Sequence, residues 1–313
     1  MRVQAILVAG DRGASRAIRG RSKAFVEVAG KPMVVHVLES LLHTPEVSEI
    51  YAVGNPVRLE RVIAEYGCLA LAAARGCPVH VVPQRETLYA NVWHTFLRTL
   101  RPGVPPNDAH GVLVVPADIP LVMPEELSIF ATRAQACGGD YVVGLTPESA
   151  LAVFAPSDGA PGVEMAYFNL REGRFRQNNL HFVRALRMGN RSYIEDMYEN
   201  RYQKEIASQV ALAWSVLRKE WRNLWVLGCY SLIHVAGVLH RRGYARASDV
   251  VRSWVTLAAI ERAASALLRT RFVIVTTELG GAAIDVDNEA DLEVVEKMLE
   301  RWKAMQVRNA RAA

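Results

Sequence analysis

Two groups of residues in this chain have types and spacing suited to chemistry on phosphate. The first is a glycine-containing, cation-rich loop, Gly10-Asp11-Arg12-Gly13-Ala14-Ser15-Arg16, continued by Ile18-Arg19-Gly20-Arg21-Ser22-Lys23. Where no Cβ intervenes, backbone N–H groups can approach phosphate oxygens, and fixed positive charges neutralise them. The loop is neither a Gly-x-Gly-x-x-Gly dinucleotide run nor a phosphate loop closed by Gly-Lys-Ser/Thr. The second group is acidic: Asp118 follows the apolar run Gly111–Ala117, and Asp285 and Asp287 lie in Ala282–Leu292. A carboxylate at the end of a buried strand faces the crevice where open α/β sheets bind ligands. Magnesium takes a few carboxylate oxygens together with waters and substrate phosphates, which such an aspartate begins to supply. Plainer readings stay open beside these: solvated arginines in a surface loop, Asp118 capping a turn before Pro124, and Asp287 or Asn288 as a helix N-cap with Asp291 in the first turn.

In order and type, Gly10, Gly13, Arg16, Lys23 and Val28-Ala29-Gly30-Lys31-Pro32-Met33 resemble the signature of nucleotidyltransferases of the glycosyltransferase-A type, the molybdenum cofactor guanylyltransferase-like proteins among them. The resemblance implies transfer of a nucleoside monophosphate from an NTP, GTP or CTP being favoured, to a phosphorylated sugar, polyol or cofactor, with release of pyrophosphate. It implies catalytic roles for Arg16, Lys23 and Asp118, and nucleotide contacts from Ala9, Gly10, Gly13, Arg16, Lys23, Gln84 and Asn91. Asp118-Ile119-Pro120-Leu121 resembles the family's metal-binding Asp-x-Pro-Leu motif, and by position Asp287 is the second Mg2+ ligand, with Asp285 as runner-up. Gln84–Asn91 lacks the Gly-Thr pair often found there, and Asn91 reads equally well as a helix cap. Two rivals remain. One is a glycosyltransferase of the same general fold using Asp285-Val286-Asp287 as its Asp-x-Asp metal motif; the other is a non-catalytic nucleotide-binding scaffold.

These residues need a framework. Met1–Ala9 reads as a buried strand, because its apolar run is nearly continuous. Met33–Leu42 reads as an apolar-rich helix entered through Pro32. Glu49–Gly54, Val79–Pro83, Gly111–Ala117, Asp140–Leu145 and Arg271–Val275 read as further strands, with a helix over Arg58–Tyr66. Strands alternating with helices at this spacing predict an α/β fold with a doubly wound, mostly parallel, Rossmann-like sheet. The chain divides into an NTP-binding core (1–160), a helical insertion on the acceptor side (161–270), and a C-terminal strand and helix that complete the core (271–313). The final helix is expected to run from Glu289 to about Met305, with Arg308–Ala313 frayed.

The insertion opens with cations and amides. Arg176, Asn179, Arg184 and Arg187 are candidates for clamping a phosphorylated acceptor, since guanidinium makes paired hydrogen bonds to phosphate oxygens. Further on come Tyr193, Tyr198, Tyr202, Trp214, Trp221 and Trp225, and then Leu224–Leu239, which has no Asp, Glu, Lys or Arg. That run is close to the lower limit for a membrane span, and its Gly228, Ser231, His234 and Gly237 favour a buried helix. A groove for a lipid-linked acceptor, a peripheral membrane contact or a homodimer contact are its functional alternatives.

With 313 residues, half of them hydrophobic, the chain can bury a large core. A net charge of +5 suits anionic ligands such as nucleotides and sugar phosphates. The cations are scattered more than clustered, which argues against nucleic acid. Cys68, Cys77, Cys137 and Cys229 are too far apart for a zinc-ligand pair and suit a reducing compartment. With no basic-then-apolar leader pattern in the first residues, the expected location is the cytoplasm.

Overall fold

An apolar run with no polar alternation has to be covered on both faces, and β1 (Val3–Ala9) is such a strand: Ala5, Ile6 and Leu7 are fully buried. In the computed structural model, which describes residues 2–11, 17–100, 103, 107–157, 159–191 and 224–312, β1 lies inside an eight-stranded sheet. Two short hairpins follow it, Ala17–Ile18 with Arg21–Ser22 (β2, β3) and Glu27–Val28 with Lys31–Pro32 (β4, β5). The remaining strands are β6 (Val47–Gly54), β7 (Val79–Pro83), β8 (Val112–Pro116), β9 (Tyr141–Pro147), β10 (Phe168–Leu170), β11 (Gly173–Val183) and β12 (Phe272–Thr276). The sheet order is β12-β9-β11-β8-β1-β6-β7, with β10 paired to β11. β1 runs parallel to β6 and β8, β6 to β7, and β9 to β12; β11 alone among the long strands is antiparallel to its neighbours. The carboxyl ends of β1, β6, β7, β8, β9 and β12 therefore share one edge of the sheet, together with the amino end of β11.

Helices cover both faces: α1 (Met33–His43), α2 (Pro56–Glu65), α3 (Cys68–Arg75), α4 (Leu88–Thr99), α5 (Pro124–Ala136), the short α6 (Glu148–Leu151), α7 (Leu224–Arg241), α8 (Ala245–Arg252), α9 (Leu257–Leu268) and α10 (Glu289–Ala312). Local chemistry starts several of them. Asn55 accepts a hydrogen bond from Arg58 N with Pro56 in the first turn, and Thr87 accepts one from Ala90 N. Nine of the eleven residues of α1 are buried, which is why it shows no polar face.

The structure departs from the sequence reading in three places. Gly173–Val183 falls in the region expected to be helical, yet it forms β11 and links β8 to β9. Its string of arginine, glutamine and asparagine hides the strand alternation, and a register shift between Gln177 and His181, with Asn179 at φ +61°, breaks it further. The run Leu224–Leu239 belongs to α7 and is no buried helix: Trp225, Val235 and Val238 are exposed, while Leu232 and Ile233 pack toward Leu170, Phe175 and Val255. No helix among the described residues is long and apolar enough to cross a membrane. The final helix continues unbroken to Ala312 instead of fraying from Arg308. Gly13, Arg16, Tyr193, Tyr198, Tyr202, Trp214 and Trp221 lie outside the described residues.

The outer edge of β12 is closed by side chains. Glu261 of α9 accepts from Ile274 N (2.8 Å) and Ser265 accepts from Phe272 N (3.0 Å).

Between α1 and α10, His36 is buried. Its Nε2 lies 2.9 Å from the Val28 carbonyl, and its Nδ1 lies 3.3 Å from the Lys303 ammonium. A carbonyl can only accept and an ammonium can only donate, so the ring is neutral with its proton on Nε2. Burial pushes the imidazole down to about 4, with Lys303 and Lys31 adding repulsion against the hydrogen bond to Val28. The unfolded chain then binds the proton more tightly than the folded one, so the His36 contribution is complete above about pH 6.5 and is lost as pH falls toward 4. The full loss is on the order of 3 kcal/mol. Urea midpoints of wild type and His36→Gln should therefore converge as pH drops through that window and run parallel below it. A difference that stays flat from pH 7 to 4 would show that His36 takes up no proton on unfolding.

Candidate active site

Three distant segments meet at the shared sheet edge. β1 ends at Ala9, and at Gly10 a Cβ would stand 2.9 Å from Asn91 Nδ2 and 3.3 Å from Gln84 Oε1, so a larger residue would have to push these two side chains aside. Gln84 leaves the end of β7 and folds back onto this loop. Its carbonyl accepts from Asp11 N (2.8 Å) and its amide donates to Asp11 Oδ1 (2.6 Å). Asn91 is buried within α4 and accepts from Arg85 N; the cap of that helix is Thr87. Of the predicted nucleotide residues, Ala9, Gly10, Gln84 and Asn91 thus form one continuous wall.

Lys23 begins a 3-10 turn (Lys23–Phe25) whose Ala24 is buried and whose Lys23 carbonyl accepts from Val26 N (3.0 Å). The turn aims the ammonium across the crevice. Lys23 Nζ bonds to Asp287 Oδ1 and lies 3.8 Å from Asp118 Oδ2. Asp118 stands just past β8. Although 27 % of its side chain is exposed, burial of the carboxyl group raises it to about 6; Lys23 opposes the rise, and repulsion from Asp285 and Asp287 adds to it.

Asp285 and Asp287 arrive on the chain that leaves a 3-10 turn (Gly281–Ala283). Val286 N donates to the Asp118 carbonyl (2.9 Å), which ties the two acidic segments together through their backbones. Asp285 is held by Arg176, at 2.6 Å, so its charge is matched inside the protein. Asn288 caps α10 by accepting from Asp291 N (3.0 Å), while Asp291 accepts from Asp287 N (3.1 Å) and from the Asn288 amide (2.7 Å). Capping therefore falls to Asn288 and Asp291, and the Asp287 carboxylate is left facing Lys23.

The predicted acceptor residues separate. Arg176 donates to the Ala283 carbonyl (2.8 Å) as well as to Asp285, and Asn179 donates to the Ala282 carbonyl (3.3 Å). Arg184 and Arg187 follow the other end of β11, where Arg184 donates to the Ala109 and Gly139 carbonyls and Arg187 pairs with Asp108 and Asp140 at 3.3 Å. The four do not form one clamp, because a strand carries its two ends to opposite edges of the sheet. Sequence reading also missed Glu126, a buried acid that grips the turn before Asp285. It sits in the first turn of α5, where an acid is ordinary and gives no signal.

Asp118 and Asp287 both face the Lys23 ammonium, and Asp285, itself paired with Arg176, adds repulsion on Asp118. Among the described residues no three His, Cys, Asp or Glu side chains gather closely enough to hold a metal by themselves. Two carboxylates still fit the chemistry of a hard divalent cation that completes its shell with water and phosphate.

A family model described as the MobA-like NTP transferase domain matches residues 5–207. None of the curated proteins matches the chain significantly. A hypothetical transferase of Thermus thermophilus is similar over 93 % of this chain and 100 % of its own, at 24 % identity and a TM-score of 0.60, a likeness of fold. Lower in similarity are CMP:2-keto-3-deoxy-manno-octonic acid synthetase complexed with CTP (14 % identity, 96 % and 99 % covered, TM-score 0.47) and 4-diphosphocytidyl-2C-methyl-D-erythritol synthase of Anaerococcus prevotii (13 %, 96 % and 99 %, 0.45).

Lys23 faces the oxygens that a divalent cation at Asp118 and Asp287 would have to take. Lys23→Met, which keeps the length of the side chain and removes its charge, should tighten Mn2+ binding to the nucleotide-free protein by about tenfold, by the Coulomb strength of a partly exposed pair. Isothermal titration would read the change, and unchanged or weaker Mn2+ binding would refute the competition.

Proposed function

The chain belongs to the MobA-like NTP transferase family, and from that premise we propose that it moves a nucleoside monophosphate from an NTP to a phosphorylated small molecule and releases pyrophosphate. The observation that carries this reading is the meeting of Lys23, Asp118 and Asp287 beside the glycine turn after β1. In the reaction, an oxygen of the acceptor phosphate attacks the α-phosphorus, a new P–O bond forms, and the bond to the β-phosphate oxygen breaks in line. Such chemistry needs charge neutralisation and alignment more than a covalent nucleophile. No serine or cysteine is given a role in it.

The residues divide the work by position. Gly10 lets the backbone come close to the nucleotide, and the Gln84–Asp11 pair stiffens the turn that follows β1. Lys23 offsets charge on the triphosphate once its ammonium is drawn from the carboxylates. Arg16, which the family resemblance marks for the triphosphate, belongs to the same proposal. Asp118 and Asp287 would hold Mg2+, which when bound supplies a Lewis acid and a template for the phosphates. Arg176, already beside Asp285 at the amino end of β11, marks the side from which a phosphorylated sugar, polyol or cofactor would enter. The donor favoured is CTP or GTP, as the family resemblance implies.

Two measurements test the proposal. Melting temperatures with each of the four NTPs and Mg2+ should rise for one base above the rest, because a ligand at a hundredfold its Kd stabilises the folded form by about 2.7 kcal/mol. Across a panel of phosphorylated acceptors, Asp118→Asn and Lys23→Ala should each lower pyrophosphate release by about 10²–10³-fold with the fold intact. Near-normal release by both variants would remove the proposal.

A further inference from the structure

Glu126 is fully buried, and no other Asp, Glu, Lys or Arg among the described residues is. Burying a carboxylate costs several kcal/mol unless donors converge on it. Here the donors all come from one short stretch of a different element. Glu126 Oε1 accepts from the Thr277 hydroxyl (2.9 Å) and from Gly280 N (3.2 Å), and Oε2 accepts from Ala282 N (2.9 Å). No ion pair reaches it among the described residues.

Its place in α5 sharpens the point. As the third residue of the helix it stands where an acid ordinarily turns back to its own N-cap, yet it points away to the 277–282 turn instead. That turn is gripped from other sides too. Arg176 and Asn179 of β11 hold the Ala283 and Ala282 carbonyls, Thr277 receives the Asn178 amide (2.8 Å), and Gly281 presses so close to the Leu121 carbonyl that a Cβ would stand 2.2 Å from it. The chain leaves this fixed turn and within a few residues lays Val286 N on the Asp118 carbonyl and presents Asp287 to Lys23. One continuous stretch, Asp118–Glu126, therefore supplies an acidic ligand at its start and the anchor of the opposing acidic segment at its end.

We infer that Glu126 is a positioning residue: through Thr277, Gly280 and Ala282 it sets the path of the chain that aims Asp285 and Asp287 at Asp118. The inference rests on the proposal that Asp118 and Asp287 hold a divalent cation. A carboxylate suits this task where an amide would not. Both of its oxygens accept, and all of its partners donate. Glu126→Gln keeps the shape but turns one acceptor into a donor facing an N–H.

Mn2+ binding to the full-length protein, followed by electron paramagnetic resonance, separates positioning from general support. Wild type should bind Mn2+ and Asp118→Asn should not, which tests the underlying metal reading by itself. Glu126→Gln should weaken Mn2+ by about tenfold to a hundredfold, as loss of an outer support commonly does. Binding of NTP without metal should not change. Thr277→Val, which removes only one of the donors, should shift Mn2+ affinity in the same direction by less, and it decides the matter if Glu126→Gln fails to fold. A lowered melting temperature with unchanged Mn2+ affinity in the folded variants would overturn the positioning role. Equal Mn2+ binding, or none, in wild type and Asp118→Asn would overturn the metal reading and this inference with it.

Discussion

Everything near the sheet edge depends on how one ammonium is shared by two carboxylates. Lys23 and Asp287 are 264 residues apart in sequence, and Asp118 comes from a third segment, so the meeting exists only in the folded chain. Each group alone would stay in water. Together, among the described residues, they bring two carboxylates to one ammonium, while the neighbouring Asp285 is matched by Arg176. Under the proposed function, this cluster is where a doubly charged ion and the phosphates that travel with it would sit. Burial of its carboxyl group lifts Asp118 out of the ordinary carboxylate range, against the pull of Lys23.

Holding like charges in one crevice requires a backbone that cannot retreat. The fold meets this requirement with short-range geometry on the late acidic segment. A glycine packed against a carbonyl, a 3-10 turn and a capped helix follow one another between Thr277 and Asp291, and the buried Glu126 of α5 gathers three donors from the start of that stretch. On the opposite side, β1 and β8 are central strands whose ends scarcely have room to move. The acidic pair is thus fixed by the sheet on one side and by hydrogen-bonded loop structure on the other.

Much of this could be read from the residues, and the limits have physical causes. Buried parallel strands announce themselves through unbroken apolar runs, which is why β1, β6, β7, β8, β9 and β12 were legible, along with Lys23, Asp118 and Asp287 as residues of interest. β11 was not legible, since its side chains are largely amide and guanidinium groups that find partners inside the protein, and to a sequence reading these look solvated. Arg184 and Arg187 were misjudged for a related reason. Charge density along a strand says nothing of which end reaches the crevice, and only the antiparallel direction of β11 separates Arg176 from them. Glu126 was invisible because an acid in a first helical turn is commonplace, and its unusual partners are 151 to 156 residues away. The hydrophobic run of α7 misled in the other direction: a stretch without charges need not be enclosed, and here Trp225, Val235 and Val238 meet water.

The closure of the β12 margin by Glu261 and Ser265 reaches beyond the monomer. An outermost strand normally offers a row of open amides that a neighbour's strand can extend. Here two of those amides already have carboxylate and hydroxyl partners from α9, and the helix itself stands where an added strand would lie. Sheet extension is thereby disfavoured on that flank, while the far margin of the sheet is formed by β7.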